Sequence, residues 1–288
     1  MFTILHASDL QYGRPYRPEA GEALQALARG LEPDLVVVAG DLTQRAKARE
    51  YRGVRKLLDG LGKAPLVVTP GNHDVPLYRF WERLFAPYRK WRRYIGAELD
   101  SVHRVPGATV VALNSSAPRR AIVGGRVDPH QVAFARKAFA GTSPGELRLV
   151  VLHHHLVPTP SGEGGRPLPN AAELARAFEE MAVDAVLGGH VHHSMVTSSR
   201  DLIGGRGPKP GVPFLASGTA TSSRGRPPEV GENTLHVIHV DDTHLQVEVR
   251  RFHPEEGSFR PEARHAVLRG SVSGVPSAGE GSGEGGTS

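Results

Sequence analysis

Leu35-Val36-Val37-Val38-Ala39-Gly40-Asp41-Leu42-Thr43 decides how the rest of the chain is read. Five consecutive apolar residues, three of them β-branched, leave no polar face, so the segment reads as a short strand buried on both sides. It ends in Gly-Asp, a turn signal that also carries a carboxylate. The same construction recurs along the first 190 residues. Apolar runs at 2–7, 65–69, 109–113, 147–152 and 185–187 are Val- and Leu-rich and bounded by Gly, Pro or polar residues. Helical stretches separate them at 19–29, 46–61, 78–94, 129–140 and 171–181, with Asp128 before Pro129 as an N-cap followed by a first-turn Pro. This alternation of strands and helices predicts an α/β layered domain.

After His193 the texture changes. Runs at 212–216, 234–240 and 245–251 read as strands without intervening helices, the last two joined through Asp241-Asp242 as a hairpin. Residues 1–270 are expected to form one domain. Residues 271–288 are almost entirely Gly, Ser, Glu, Ala and Pro, a composition expected to stay disordered. Gly/Pro-rich stretches at 158–170 and 198–213 are expected as long loops with a binding role.

Composition narrows the chemistry. Among 288 residues there is no Cys, so disulfides, iron–sulfur clusters, thiolate zinc sites and cysteine nucleophiles are excluded. Any transition metal must be held by His and carboxylates, and the chain has 15 His. The formal charge of +5 is mild, compatible with an anionic substrate and equally with an Arg-favouring genome. No stable nucleic-acid partner is expected. No window approaches the length of a membrane span, and the N-terminus does not read as a signal peptide, so a cytoplasmic protein with no membrane partner is expected.

The His, Asp and Asn residues sit where the strands end. The clusters are Ser8-Asp9-Leu10-Gln11, Gly40-Asp41, Gly71-Asn72-His73-Asp74, His153-His154-His155 and Gly188-Gly189-His190-Val191-His192-His193. In open α/β sheets ligands bind outside the carboxyl ends of strands, so these five clusters should meet at one edge. Asp9, Asp41, Asn72, one His of the triplet, His190 and His192 then make a metal-binding composition. Carboxylate, amide oxygen and imidazole suit manganese, iron and zinc. Two divalent ions about 3.5–4 Å apart can clamp a phosphoryl oxygen and acidify a water. Taken singly, each piece has a plainer reading: Asp9 and Asp41 as helix caps, Gly-Asn-His-Asp as a turn, one of His190 and His192 as core packing. His6 is read as structural, and His236, His239, His244, His253 and His265 as surface residues.

In this order the motifs resemble those of the calcineurin-like metallophosphoesterases, over residues 1–195. The His triplet and the Gly-Asn-His-Asp form look most similar to the bacterial branch that includes cyclic-nucleotide phosphodiesterases, although there a Pro commonly follows the His run and here Leu156 and Val157 intervene. The resemblance implies a four-layer α/β/β/α sandwich of two packed mixed sheets, with a dinuclear centre at one edge. Asp41 would bridge both ions, Asp9 and His192 would bind the first, and Asn72, His153 and His190 the second, with His154 as the alternative to His153. His73 would contact the phosphate and stabilise charge or protonate the leaving oxygen. Asp74 would fix the local geometry.

One position departs from the family. Its first motif is Asp-x-His, and this chain has Gln11 at the second ligand position. An amide oxygen binds metal more weakly than imidazole and is harder, which favours manganese over zinc or iron. The expected function is hydrolysis of a small anionic phosphodiester by metal-activated hydroxide, with 3',5'-cyclic nucleotides as the first substrate class. Arg14, Arg17 and Arg166 are outer phosphate contacts or solvated surface. The competing reading is a non-catalytic scaffold or binding protein that keeps the fold with an impaired metal site; Gln11 favours it, and the retained Asp41, Asn72, His73, His190 and His192 oppose it.

Overall fold

The computed structural model describes residues 1–120, 123–159, 162, 164–203 and 211–271. The expected tail beyond Ser271 and the central parts of both Gly/Pro-rich stretches lie outside the described residues.

The run at Leu35–Ala39 is β2, an interior strand. β1 (Phe2–Ala7) pairs with it in parallel and β3 (Leu66–Thr69) follows on its other side. A second parallel core is built from β5 (Ala108–Ala112), β6 (Leu147–Val151), β7 (Ala185–Gly188) and β9 (Pro213–Ala216), with β4 (Ser101–Val105) and β8 (Met195–Ser198) antiparallel at its margins. β10 (Thr234–Val240), β11 (His244–His253) and β12 (Ser258–Leu268) return to the first sheet as an antiparallel meander against β1. The sheets therefore run β12-β11-β10-β1-β2-β3 and β4-β5-β6-β7-β9-β8, six strands each.

Strand alternation sets the layers, because successive side chains point to opposite faces. Val36 and Val38 of β2 join the cluster that holds Leu24 and Ala28 of α1 (Pro18–Leu31) and Val54 and Leu57 of α2 (Ala48–Asp59). Leu35, Val37 and Ala39 point the other way, into a middle layer with Val110, Leu149 and Leu187 of the second sheet. The far face of that sheet is covered by α5 (Pro129–Phe139) and α6 (Ala171–Glu180), through residues such as Phe139, Leu174 and Phe178. Helices, sheet, sheet, helices: the molecule is an α/β/β/α sandwich of two mixed sheets.

The helix expected at 78–94 is instead two short ones, α3 (Phe80–Phe85) and α4 (Arg89–Tyr94). Pro87 separates them, since a proline inside a helix removes a donor and clashes with the preceding turn. A short helix α7 (Ser199–Ile203) and strands β4, β8 and β12 carry no buried apolar run. β12 is an edge strand, mostly exposed and charged, with Pro261 beside a register shift. Such strands are held by pairing with an existing neighbour, so their own sequence shows little of them.

His236 corrects the expectation of a surface residue: it is fully buried. β10 is an interior strand, and His236 sits opposite His6 of β1, on the face that also carries Ile4 and Ile238. The two rings meet edge-on at 5.4 Å, and His236 Nε2 lies 2.6 Å from Ser194 Oγ. Burial pushes His6 down to about 3 and holds His236 well below the ordinary range. Both are therefore neutral in the fold. A histidine depressed in the folded state contributes stability above its unfolded value near 6.5, and that contribution is lost as the pH falls toward the folded value. Going from pH 7.5 to pH 5 in the presence of a chelator should remove about 2 kcal/mol through His6 alone. Urea titrations of the wild type and His6→Leu test this: the acid-induced loss should be smaller in the variant, and an equal loss in both would contradict it.

Candidate metal centre

β1, β2 and β3 of one sheet and β6 and β7 of the other all discharge their chain at the same edge, and the residues just past each end are brought together there. Five of them have left-handed backbone: Asp9 (φ 53°), Gln11 (φ 45°), Asp41 (φ 49°), His190 (φ 73°) and His192 (φ 62°). Eight non-glycine residues among those described adopt positive φ, so this edge holds most of them. The conformation costs an L-residue about 1–2 kcal/mol and persists only where surrounding bonds enforce it. Here Asp9 N donates to the Gly40 carbonyl at 3.1 Å, Gln11 N to that of Asp41 at 2.8 Å and Tyr12 N to that of Leu42 at 2.9 Å, tying the two loops together. Two glycines permit the approach. A Cβ on Gly40, itself at φ 85°, would lie 2.5 Å from the His153 ring, and one on Gly189 would lie 1.7 Å from Ser8 Oγ and 2.7 Å from Asp9 Oδ2.

The polar atoms at the centre are mostly acceptors. Asp9, Asp41 and His153 offer ligand atoms that all lie within 4.8 Å of one another, and all three are buried. His153 Nδ1 is 2.8 Å from the Ala39 carbonyl oxygen, which can only accept, so that nitrogen carries a proton. Its Nε2 then faces Asn72 Oδ1 at 3.3 Å and Asp41 Oδ1 at 3.4 Å, again acceptors. His190 Nδ1 reaches the same Asn72 oxygen at 3.0 Å and comes within 3.3 Å of His153 Nε2. On the other side, His192 Nδ1 donates to the Arg224 carbonyl at 2.8 Å, which turns Nε2 toward Asp9 Oδ1 at 3.1 Å. Asp9 Oδ1 and Asp41 Oδ2 are buried and accept no hydrogen bond.

Electrostatics follow from this crowding. Burial works against ionising Asp9 and Asp41, but His192 and His153 outweigh it and hold both carboxyls below the usual carboxylate range. Burial would also lower His153, yet Asp41 and Asp9 lift it to about 9. Protons thus cluster around the carboxylates. Orphaned carboxylate oxygens facing imidazole nitrogens are the donor set that fits divalent cations, which would replace those protons.

The remaining candidates divide. His73 is at the rim: its backbone N donates to Asp41 Oδ1 at 2.8 Å, its Nδ1 lies 2.9 Å from the Gln44 carbonyl, and its Nε2 stands 3.9 Å from Asp41 Oδ2. Asp74 is buried below, accepting from the backbone N of Leu42, Thr43 and Gly71 and so clamping two ligand loops. His154 turns away: Ser115 Oγ and the Val123 carbonyl occupy its two nitrogens at 2.8 and 3.0 Å. Gln11 reaches the cluster with its amide nitrogen, 3.1 Å from His192 Nε2, while its oxygen accepts from Ser222 at 3.2 Å. Arg17 is committed elsewhere, to the Gly231 carbonyl and Asn233 Oδ1, and Arg14 and Arg166 are exposed.

Two participants were given no role by the strand-end pattern, although Ser8 stands in one of its clusters. Ser8 Oγ is 2.6 Å from Asp9 Oδ2, to which His190 N also donates at 2.9 Å. Arg224 lies in the loop after β9, and its Nη1 is 3.1 Å from His73 Nε2. Ser8 precedes a ligand candidate; Arg224 has no motif around it, and only folding brings it to the edge.

A cAMP/cGMP dual specificity phosphodiesterase of Mycobacterium tuberculosis is 29% identical over 210 residues, covering 67% of this chain and 62% of that protein. A 3',5'-cyclic adenosine monophosphate phosphodiesterase of Haemophilus influenzae is 29% identical over 168 residues, 57% of this chain and 56% of that one. The chain thus spans only about six tenths of the length of these relatives. Among solved structures, a purple acid phosphatase from yellow lupin seeds superposes with a TM-score of 0.70 at 14% identity, covering 93% of this chain and 54% of that one; this likeness is one of fold. Residues 2–194 match the model of the calcineurin-like phosphoesterases, and with that match over most of its length the chain belongs to this family.

Proposed function

We propose that this chain is a metal-dependent phosphodiesterase acting on small phosphodiesters, with 3',5'-cyclic nucleotides as the first substrate class. The observation that carries it is the pair of orphaned carboxylate oxygens, Asp9 Oδ1 and Asp41 Oδ2, buried among imidazole nitrogens at the shared edge of two sheets. The names of the two relatives support the substrate class. Asp41 would hold both of two divalent ions, Asp9 and His192 one of them, and Asn72, His153 and His190 the other. Bound there, the ions supply positive charge to the phosphoryl oxygens and a water of lowered pKa.

The chain's own residues do the rest. His73, with Nδ1 on the Gln44 carbonyl, presents Nε2 outward, and in the resting structure that atom accepts from Arg224 Nη1. An entering phosphate competes for the same guanidinium, because Arg to phosphate is a charge-assisted contact. Drawing Arg224 onto the phosphate oxygens frees His73 Nε2, which can then take up a proton from solvent water and pass it to the departing alkoxide oxygen. Arg224 also fixes His192 through its backbone carbonyl, so one residue positions both sides of the site. Among the described residues no helix is long and apolar enough to cross a membrane, and we read the site of action as cytoplasmic.

Manganese-loaded protein should hydrolyse bis(p-nitrophenyl) phosphate and 3',5'-cyclic AMP. His73→Ala and Arg224→Ala should each lower kcat by about a hundredfold. Hydrolysis of neither substrate, or full activity in both variants, would contradict the proposal. Gln11 bears on the choice of metal. A half-turn of its amide exchanges nitrogen for oxygen on the His192 side, and an amide oxygen favours manganese over zinc or iron. Gln11→His should tighten metal binding and raise the preference for zinc in a competition titration; unchanged affinity for both ions would count against this role.

A further inference from the structure

A cavity of about 800 Å³ lies apart from the candidate ligands, none of which lines it. Its walls are the junction of α3 with α4, Leu99 and Asp100, and residues 114, 116–120, 126, 128, 130 and 131. Ser115, between two wall residues, is 2.8 Å from His154 Nδ1, whose ring lies beside those of His153 and His190. Five of the lining residues are arginines: Arg89, Arg92, Arg119, Arg120 and Arg126.

Only two carboxylates, Asp100 and Asp128, share the lining, and both have partners. Asp100 Oδ1 accepts from Asn114 N and Gln131 Nε2, each at 2.7 Å. Asp128 Oδ1 takes Arg126 Nε at 2.8 Å and Arg120 Nη1 at 3.2 Å. Arg92 and Arg119 are held by Nε alone, to the backbone carbonyls of Ala97 at 3.2 Å and Leu84 at 2.9 Å. That anchoring sets the direction of each guanidinium while leaving its terminal donors for another acceptor, and preorganised arginines lose less entropy on binding. Arg89 has only a loose contact, 3.8 Å, with Glu82, which also serves Arg79 and Lys90. The Ser116 hydroxyl, on the same wall, is buried without a hydrogen-bond partner.

Five guanidinium groups against two satisfied carboxylates exceed what one phosphate needs and match a polyphosphate. The rim adds a flat apolar surface. Phe85 is 72% exposed and stacks on Trp81 at 6.0 Å and 10° between ring planes. An aromatic face beside arginines is the usual means of holding a nucleobase next to its phosphates. We infer that this cavity is a second ligand site, separate from the metal centre, for a nucleoside polyphosphate whose phosphates meet the arginines and whose base lies on Phe85.

Calorimetry on metal-stripped protein with excess chelator isolates the cavity from the metal centre, with ATP and pyrophosphate as the two probes. ATP should bind, pyrophosphate should bind more weakly, and the double variant Arg89→Gln/Arg92→Gln should lose at least about tenfold in ATP affinity while hydrolysing bis(p-nitrophenyl) phosphate at the wild-type rate. Phe85→Ala should weaken ATP and leave pyrophosphate unchanged, a readout that does not depend on the arginine variant folding. No binding of ATP to the wild type, equal affinity for the two probes, or variants that bind ATP like the wild type would overturn the inference.

Discussion

Asp9 and Asp41 are buried together at the line where two sheets meet, with ligand oxygens within 4.8 Å. At an effective dielectric of about 20 two such charges repel by about 3–4 kcal/mol. Nothing apolar can answer that repulsion, so positive charge must be present at the junction. In the chain alone it comes from protons, chiefly the one that the carboxylates hold on His153. Divalent ions would supply more positive charge at the same place, with His190, His192 and Asn72 as the further ligands we propose. The surrounding structure is arranged around keeping these acceptors close.

The cost of that arrangement is visible in the backbone. Asp9, Gln11, Asp41, His190 and His192 all take left-handed conformations that their side chains disfavour. Regular strands could not deliver so many ligand groups to one point, because successive residues of a strand face opposite ways. Turning the chain sharply after β1, β2 and β7 brings Asp9, Gln11, Asp41, His190 and His192 to one place, where His192 Nε2 lies 3.1 Å from both Asp9 Oδ1 and Gln11 Nε2. The loop-to-loop bonds from Asp9 N and Gln11 N, and the Asp74 carboxylate below them, enforce those turns. Rigidity of the two parallel sheet cores is what makes such local strain tolerable.

The parallel strands were legible because burial on both faces leaves them few polar residues, and none in Leu35–Ala39. Strand-end clusters were legible for the complementary reason: each polar residue alone could cap or turn the chain, but their recurrence at the mouth of five such runs exceeds what capping needs. What escaped was whatever depends on partners far along the chain. β12 is charged and exposed, and it exists because β11 offers it an edge. His236 looked like surface until β10 became an interior strand facing His6. Arg224 belongs to a Gly/Ser/Thr-rich loop without periodicity, yet its carbonyl and guanidinium touch opposite sides of the centre. Between His153 and His154 the sequence left a choice, and the difference lies in their neighbours: Ser115 and Val123 engage one, Asp41 and Asn72 face the other.

The central claim is that the converging acceptors hold cations. Elemental analysis of protein purified in manganese-supplemented buffer and freed of loosely bound ions tests it most directly. About two divalent ions per chain are expected, falling to about one or fewer when Asp41 is replaced by Asn. Metal-free protein under those conditions, or an Asp41→Asn variant with undiminished metal content, would contradict it.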